Sequence, residues 1–562
     1  MRLWKLLRLV PVLALLVIAH GASAILPPVS GNGTAGRAAS EWVQATDDLC
    51  PPLPAPSGPI IHVSSVSELR DAVSGATAGT TILVADGTYH LDGAYLRFDT
   101  PGVTMRSASG DREAVVLDGD YVTTEIVQIV ASNVTVANLT LREAYYHPIH
   151  VTSSEGGDTT GTLITNVHIV DPREQAIKIN PDAEGYHPDY GEIACSHIEL
   201  TDAGRPHVNP TAGGCYTGGI DAHRARGWRI HDNLIAGFWC PNGLSEHGIH
   251  LWRGSRDTVV ERNVLRNNAR GIGFGLATSG DGRSYPDDPC PGASGYVDHY
   301  GGVIRNNVVF ANDGDLFGSQ YGFDCGICLW NACGARVLHN TVASTQPPFS
   351  AIEWRYPNTD PEVINNLVTH NLMARDGAAA SESGNLVEAP LSLFVDGSGG
   401  DLHLAPGAAG AIDQVAAPLD VVDDLDGDPR PIGAASDVGA DEYGVPPPAA
   451  VTDLRVILGL VEGGTLTATL RWTAPADAVI YTLRHAAAPL IDATWHEAAA
   501  IPVPFAATPG SSERLTASVS YSGGTVYFAL RSQNGAGGWS DLSNNAFWPG
   551  KDVTLPLVLR AH

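Results

Sequence analysis

Residues 262–274 read RNVLRNNARGIGF. The stretch holds two short apolar strands in succession, one opening on Asn263 and one on Gly271. Both are too short for helices. The same pair of signals recurs along the chain. ANLTL, TNVHI, DNLIA, RNVLR, NNVVF, HNTVA and NNLVT place asparagines at Asn138, Asn166, Asn233, Asn263, Asn307, Asn340 and Asn366. Ser196, in CSHIEL, stands between the second and third, and the successive spacings are then 28, 30, 37, 30, 44, 33 and 26. Between these strands lie PIHV, AIKI, GIDA, GIHL, GIGF, GICL and AIEW. Two strand types alternating at a period near 30 describe a solenoid in which each turn of chain stacks on the last. An asparagine at a bend can bond its own backbone and the same asparagine one coil on, so the Asn column is expected to be a structural ladder.

The flanks complete the expected organisation. Residues 1–24 read as a signal peptide: Arg2, Lys5 and Arg8, then an apolar run from Leu9 to Ala19, then Ala22-Ser23-Ala24. Residues 25–59 form a Pro/Gly-rich linker, and residues 60–445 the solenoid. In residues 65–73, Val66, Leu69 and Val73 fall at helical spacing after serines that can cap a helix. Asp424, Asp426 and Asp428 sit around Gly427 like a calcium loop, but Ala435 stands where such a loop needs glutamate, so residues 421–444 are expected to be end-cap structure. Residues 446–547 change to alternating strands around RWTAP, YTLR and YFALRSQNGAGGWS, the pattern of a small β-sandwich. Residues 548–562 are a C-terminal tail in which a strand or a surface-retention signal is expected. The fold class expected is therefore all-β: a right-handed parallel β-helix followed by a small β-sandwich.

These motifs carry a resemblance. The alternating GI-x-h and N-x-h strands, VADGTY after the helical segment, and DLDGDPRP followed by DVGADEY resemble right-handed parallel β-helix proteins of the pectate-lyase-like superfamily. The resemblance spans about residues 60–445 and implies a polysaccharide as partner. The calcium-binding aspartates and the arginine of pectate lyases do not align here. Residues 449–547, with Trp472 and Tyr527, resemble a fibronectin type III domain.

Charge narrows the partners. The chain has 33 Lys+Arg against 61 Asp+Glu, for a net charge of -28. That balance excludes nucleic acid and an anionic membrane surface, which both want a basic face. After residue 24 no apolar run reaches about 18 residues, so no membrane span is expected in the mature chain. Eight cysteines in an exported protein imply disulfides; Cys325, Cys328 and Cys333 are also close enough in sequence for a metal site. Secretion or cell-surface attachment through the C-terminal region is the expected location.

Only three lysines occur: Lys5, Lys178 and Lys551. The position of Lys178 follows from the strand register. In each GI-x-h strand the apolar residues face the core, so x faces outward. Coil by coil this column reads His150, Lys178, Asp221, His250, Gly273, Cys328 and Glu353. Two residues further on it reads Thr152, Asn180, His223, Trp252, Gly275, Trp330 and Arg355. Coils lie about 4.8 Å apart, so Lys178, Asp221 and His250 fall on neighbouring coils with His223 beside Asp221. The loops at 181–192, 203–217, 277–302 and 311–324 lengthen around this face, as loops that build a site do. Gly273 and Gly275 leave a gap where a ligand or an insertion can approach the backbone.

This column points to chemistry on sugars. A glycoside hydrolase needs two carboxylates about 5–10 Å apart, whereas Asp221 and Glu353 are four coils, about 19 Å, apart. Only a loop carboxylate, Glu246 or Asp324, supplies a closer partner. A polysaccharide lyase needs a base for the proton beside a uronate carboxylate and cations for the enolate. Lys178 is the expected base, provided burial lowers its pKa, with His223 or His250 as acid and Asp221 orienting a histidine. Trp252 and Trp330 are expected either to stack sugars or to pack under the insertions, and Asn180, His150, Glu353 and Arg355 to bind further sugar units. Calcium is the one cofactor left open. The expected function is thus an exported lyase-like enzyme cleaving a uronic-acid-containing glycan by β-elimination. The alternatives are a non-catalytic carbohydrate-binding or adhesin-like surface protein, and a glycoside hydrolase or polyuronate epimerase.

Overall fold

The computed structural model describes residues 50–550, apart from 154–155, 212, 445–447, 496–497, 505 and 535–537. The signal peptide, residues 25–49 of the linker and the tail beyond residue 550 lie outside the described residues.

Three long parallel sheets wind into a right-handed β-helix. One, of twelve strands, runs from Ile60–Val63 to Ser381–Ser383; a second, of ten, from Gly87–His90 to Leu367–Val368; the third, also of ten, from Leu96–Phe98 to Leu372–Arg375. The second sheet carries the strands that follow each asparagine, and the third carries the GI-x-h strands. Within the third, Ile149, Ile177, Ile220, Ile249, Ile272, Ile327 and Ile352 pair in register and are all fully buried. Each such side chain contributes roughly 1.5–3 kcal/mol by burial. A one-residue slip would turn the whole column outward, which is why the register is so well specified.

The asparagine ladder forms as expected. Nδ2 of Asn233, Asn263 and Asn307 each donates to Oδ1 of the next rung at 2.9 Å, and Asn340 donates to Asn366 at 3.0 Å. The bend is made by a left-handed residue just before each rung: Asp232, Arg262, Asn306, His339 and Asn365 all have φ between 50° and 59°. In the first coils Asn138 and Asn166 take that conformation themselves, and the bond between them runs the other way, Asn166 Nδ2 to Asn138 Oδ1.

Replacing Asn307 with alanine should strand the Asn263 backbone N–H and the Val260 carbonyl, both of which Asn307 satisfies. The expected cost is about 2–3 kcal/mol in urea unfolding. A loss below roughly 0.5 kcal/mol, the size of a surface substitution, would contradict the ladder's role.

The segment Val66–Gly75 is a helix, with the Ser65 hydroxyl accepting from Glu68 N. Its Leu69, Ala72 and Val73 join the solenoid core. Residues 421–444 differ from the expected end-cap. Leu425, Val438 and Ala440 pack on Leu234, Val264, Val308 and Phe310, the outward face of the second sheet. Arg262 pairs with Asp423 at 3.0 Å. The segment covers a flank because that face is apolar, and it would otherwise stand in water. Asp424 accepts the N–H groups of Asp426 and Asp428, so the Asp-rich loop is closed on itself.

After the solenoid come two antiparallel sheets. One joins Arg455–Glu462, Thr465–Thr473 and Ser512–Ser520; the other joins Ala499–Ile501, Ile480–Ala486, Val526–Gln533 and Ala546–Trp548. They enclose a separate core around Trp472 and Phe528, as a small sandwich does.

Candidate functional site

The outward column has the expected register. His150 pairs with Lys178, Lys178 with Asp221, Asp221 with His250, His250 with Gly273, Gly273 with Cys328, and Cys328 with Glu353. Its burial is not what an outward ridge implies. Lys178 is 7% exposed, Asp221 2%, and His250 and Glu353 0%.

Two features close the column. A second column lies three residues upstream: Glu125, His147, Gln175, Gly218, His247, Arg270, Cys325 and Ser350. In a straight strand residues three apart are about 10 Å apart, whereas the Cα atoms of Cys325 and Cys328 are 6.1 Å apart. The chain bends between them, and the two columns meet. Gln128 thus bonds Glu125, Ser350 bonds Glu353, Cys325 is disulfide-bonded to Cys328, and the rings of His247 and His250 lie 4.3 Å apart.

The insertions supply the rest of the cover. Loop 203–217 is tied down by Cys215–Cys240, and loop 277–302 by Cys290–Cys333 and by Arg283 on Asp189 at 2.8 Å. Cys50–Cys195 completes four disulfides, so no free cysteine remains. Arg224, which flanks the column, turns away to Asp281.

Asp221 is the hub. Its Oδ2 accepts from Lys178 Nζ and lies 3.2 Å from His223 Nε2; its Oδ1 accepts from Trp252 Nε1 at 2.8 Å and lies 3.6 Å from His250 Nδ1. Burial alone would raise this carboxyl, but Lys178 and then His223 outweigh it and hold it well below the usual aspartate range. Burial likewise works to lower the Lys178 pKa, but Asp221 prevails and the net shift is upward. The direction runs against the fall in pKa that the expected role of Lys178 as base required. His223 goes the other way. Burial lowers its pKa by more than Asp221 raises it, which favours the neutral imidazole, and its side chain keeps 17% of its surface open.

Other expected residues divide into those brought to this centre and those tied up elsewhere. Trp252 stands on it, its ring parallel to His250 at 5.2 Å and edge-on to His223 at 4.7 Å, with Arg253 4.6 Å above the ring. His150 bridges Glu125 at 2.6 Å and Asn180 at 2.7 Å at one rim. Glu353 is not open to a sugar: Arg375, Ser350 and Trp330 Nε1 take its oxygens. Trp330 is not a stacking platform either. It is 7% exposed, packed with the Cys325–Cys328 disulfide, with Arg270 5.0 Å and Arg355 5.6 Å over its ring. Arg355 is engaged by Asp376, and Asp324 by Arg270 at 2.7 Å. The gap at Gly273 is filled by protein, since a Cβ there would meet His247 Nε2 at 2.6 Å.

Two residues were not singled out as site residues by the sequence. Tyr216, on the disulfide-tied loop, lies within electrostatic reach of Lys178 and Asp221; burial raises its hydroxyl pKa, and Lys178 only partly opposes this. His247 belongs to the upstream column. That column was legible as the first letter of HPIH, QAIK, GGID, HGIH, RGIG, CGIC and SAIE. Tyr216 has no such periodic signal. Glu246, weighed only as a loop carboxylate, reaches His250 Nδ1 at 3.3 Å.

No family model matches the chain, and no curated protein matches it. Among solved structures, an alginate lyase from Paenibacillus sp. str. FPU-7 is 15% identical, covering 58% of this chain and 99% of that one at a TM-score of 0.34. The A-module of a mannuronan C-5 epimerase from Azotobacter vinelandii is 14% identical, covering 58% and 95% at 0.36. A double-mutant tailspike protein of E. coli bacteriophage HK620, in complex with a pentasaccharide, is 10% identical, covering 91% of each chain at 0.37. At these scores the likenesses carry no argument about chemistry.

Proposed function

We propose that the chain acts on a polysaccharide and cleaves a uronic-acid-containing glycan by β-elimination at the Asp221 centre. The observation that carries this reading is geometric: His223 and Lys178 meet at one oxygen of Asp221, where burial lowers the His223 pKa and Asp221 outweighs burial to raise that of Lys178. His223 Nε2 lies 3.2 Å from both Asp221 Oδ2 and Lys178 Nζ; in the tautomer proposed as active Nε2–H is donated to Asp221, which leaves the lone pair of Nδ1 to take the proton beside the uronate carboxylate. In the resting site the charges of Lys178 and Asp221 cancel. Once His223 holds the proton, Asp221 stabilises the imidazolium and the centre gains a net positive charge facing the enediolate. Tyr216, kept protonated by burial, is the group proposed to return a proton to the departing glycosidic oxygen. Trp252, half-buried between the His250 ring and Arg253, borders the same place.

One observation favours a hydrolase as second reading. Asp221 and Glu246 reach the same nitrogen of His250, at 3.6 and 3.3 Å, so the two oxygens are at most about 7 Å apart, far closer than Asp221 and Glu353 and not beyond the reach of glycosidase carboxyl pairs.

The readings separate on one panel of polyuronates and neutral glycans. β-Elimination yields an ultraviolet-absorbing unsaturated end for every new reducing end, and that is the expected result on at least one polyuronate. Reducing ends without unsaturated ends would establish the hydrolase instead. Glycan retained with neither product would leave a carbohydrate-binding surface protein, and altered uronate composition without cleavage an epimerase. Four disulfides support a location in an oxidising compartment outside the cytoplasm. No helix of the described residues is long and apolar enough to cross a membrane. The three- and four-stranded sheets around Trp472 support a fibronectin type III-like module as spacer.

A further inference from the structure

Beside Asp221, several buried side-chain atoms lack the partners that burial demands: Glu246 Oε2, both ring nitrogens of His247, and His250 Nδ1. Both imidazoles are fully buried. They meet because the strand bends between them, and because Gly273 on the next coil has no side chain where the His247 ring lies. His250 Nε2 contacts the Gly275 carbonyl at 3.3 Å. That bond puts the ring hydrogen on Nε2 and the lone pair on Nδ1, the arrangement that orients a metal-binding histidine. The lone pair then faces two carboxylate oxygens, Glu246 Oε2 at 3.3 Å and Asp221 Oδ1 at 3.6 Å. Acceptors converging on one buried point without a donor are costly unless a cation stands among them.

We propose that Glu246, His247 and His250 form a binding site for a divalent transition-metal ion of the zinc class. One ligand atom from each lies within 4.8 Å of the other two. Two imidazoles and a carboxylate suit zinc, whereas calcium takes a shell of oxygens. Cys325 and Cys328 also approach His247, but their sulfurs are bonded to each other and offer no thiolate. The Glu246 side chain is 22% exposed, which leaves the ion a route in and a fourth position for water or a carboxylate oxygen of an acidic sugar. The inference rests on the site described above but not on elimination as its chemistry.

The test is zinc titration of chelator-stripped protein, by calorimetry and thermal unfolding, with calcium as control. One zinc equivalent and a raised melting temperature are expected, with no matching response to calcium. Glu246→Gln and His247→Gln should each weaken zinc by at least about tenfold, since even outer partners of metal ligands are worth that much. Both variants must retain the wild-type circular dichroism, and Cys325→Ser with Cys328→Ser must leave zinc affinity unchanged. Absence of stoichiometric zinc in folded wild type, or unaltered binding in both folded variants, overturns the site and assigns the cluster to a buried imidazolium. Glycan cleavage is scored separately on the stripped and on the zinc-loaded protein. Cleavage without zinc binding removes this inference alone; zinc binding without cleavage removes the lyase reading alone.

Discussion

Asp221→Asn is expected to cost about 3–5 kcal/mol of stability, because it leaves the Lys178 ammonium buried with no counter-charge. The substitution keeps the shape of the side chain and can still accept from Trp252 Nε1. What it removes is the charge that holds Lys178 protonated and His223 oriented. Replacing both partners, Lys178→Met with Asp221→Leu, should recover most of the loss, since an apolar pair requires no compensation. Urea unfolding of the single variants Lys178→Met and Asp221→Leu and of their double variant measures this coupling directly, and unfolding of Asp221→Asn measures the unpaired ammonium. A single-variant loss below roughly 1 kcal/mol, or a double variant as unstable as the sum of the singles, would show that the charges are not coupled. Turnover should be absent in all of these variants.

The pH dependence has a definite sign. The depressed Asp221 pKa contributes stability that is present above the unfolded aspartate value of 3.8 and is lost as pH falls through the folded value. The raised Lys178 pKa contributes stability that is present below the unfolded lysine value of 10.5 and is lost as pH rises through the folded value. Across neutral pH the pair is therefore intact.

His223→Ala is expected to lower kcat/KM on the active polyuronate by about 10²–10⁴, the usual worth of a general base. Stability should change far less than in Asp221→Asn, because the ring is at the rim of the centre and removing it leaves Lys178 and Asp221 paired. The working form is the neutral imidazole. Turnover should thus be present at neutral pH and fall as pH drops through the folded His223 pKa, which burial places below the ordinary histidine value of 6.5. Wild-type turnover in folded His223→Ala would remove this residue as base. An acid limb above 6.5 would show that another group is being titrated.

The solenoid and its register were legible in the chain because a repeat of about 30 residues must stack its apolar faces, and alternation then dictates every outward position. Lys178, Asp221 and His250 were placed on consecutive strands by that rule alone, with His223 beside Asp221. Glu353, Trp330 and Arg355 obeyed the same rule, yet Glu353 and Trp330 are buried and Arg355 is engaged by Asp376. An outward position on a bare coil is exposed, but here the bend and the upstream column turn it into an interior. The partners that closed them, Arg375 and Asp376, come from the next coil.

Protonation was the other quantity that local pattern does not carry. Whether Lys178 is a base or a cation depends on the balance between losing water and gaining Asp221, which differ in sign and are both set by packing. The sequence by itself determined the periodic part of this protein: the β-helix, the asparagine ladder and the column of groups around Asp221. Only the tertiary structure decided which of those groups meet water, which nitrogen of His250 is left bare, that Glu246 reaches His250, and that Tyr216 lies within electrostatic range of Lys178 and Asp221. The physical reason is that stacking follows a fixed repeat, whereas insertions and disulfides, which cover the face and set its charges, obey no period.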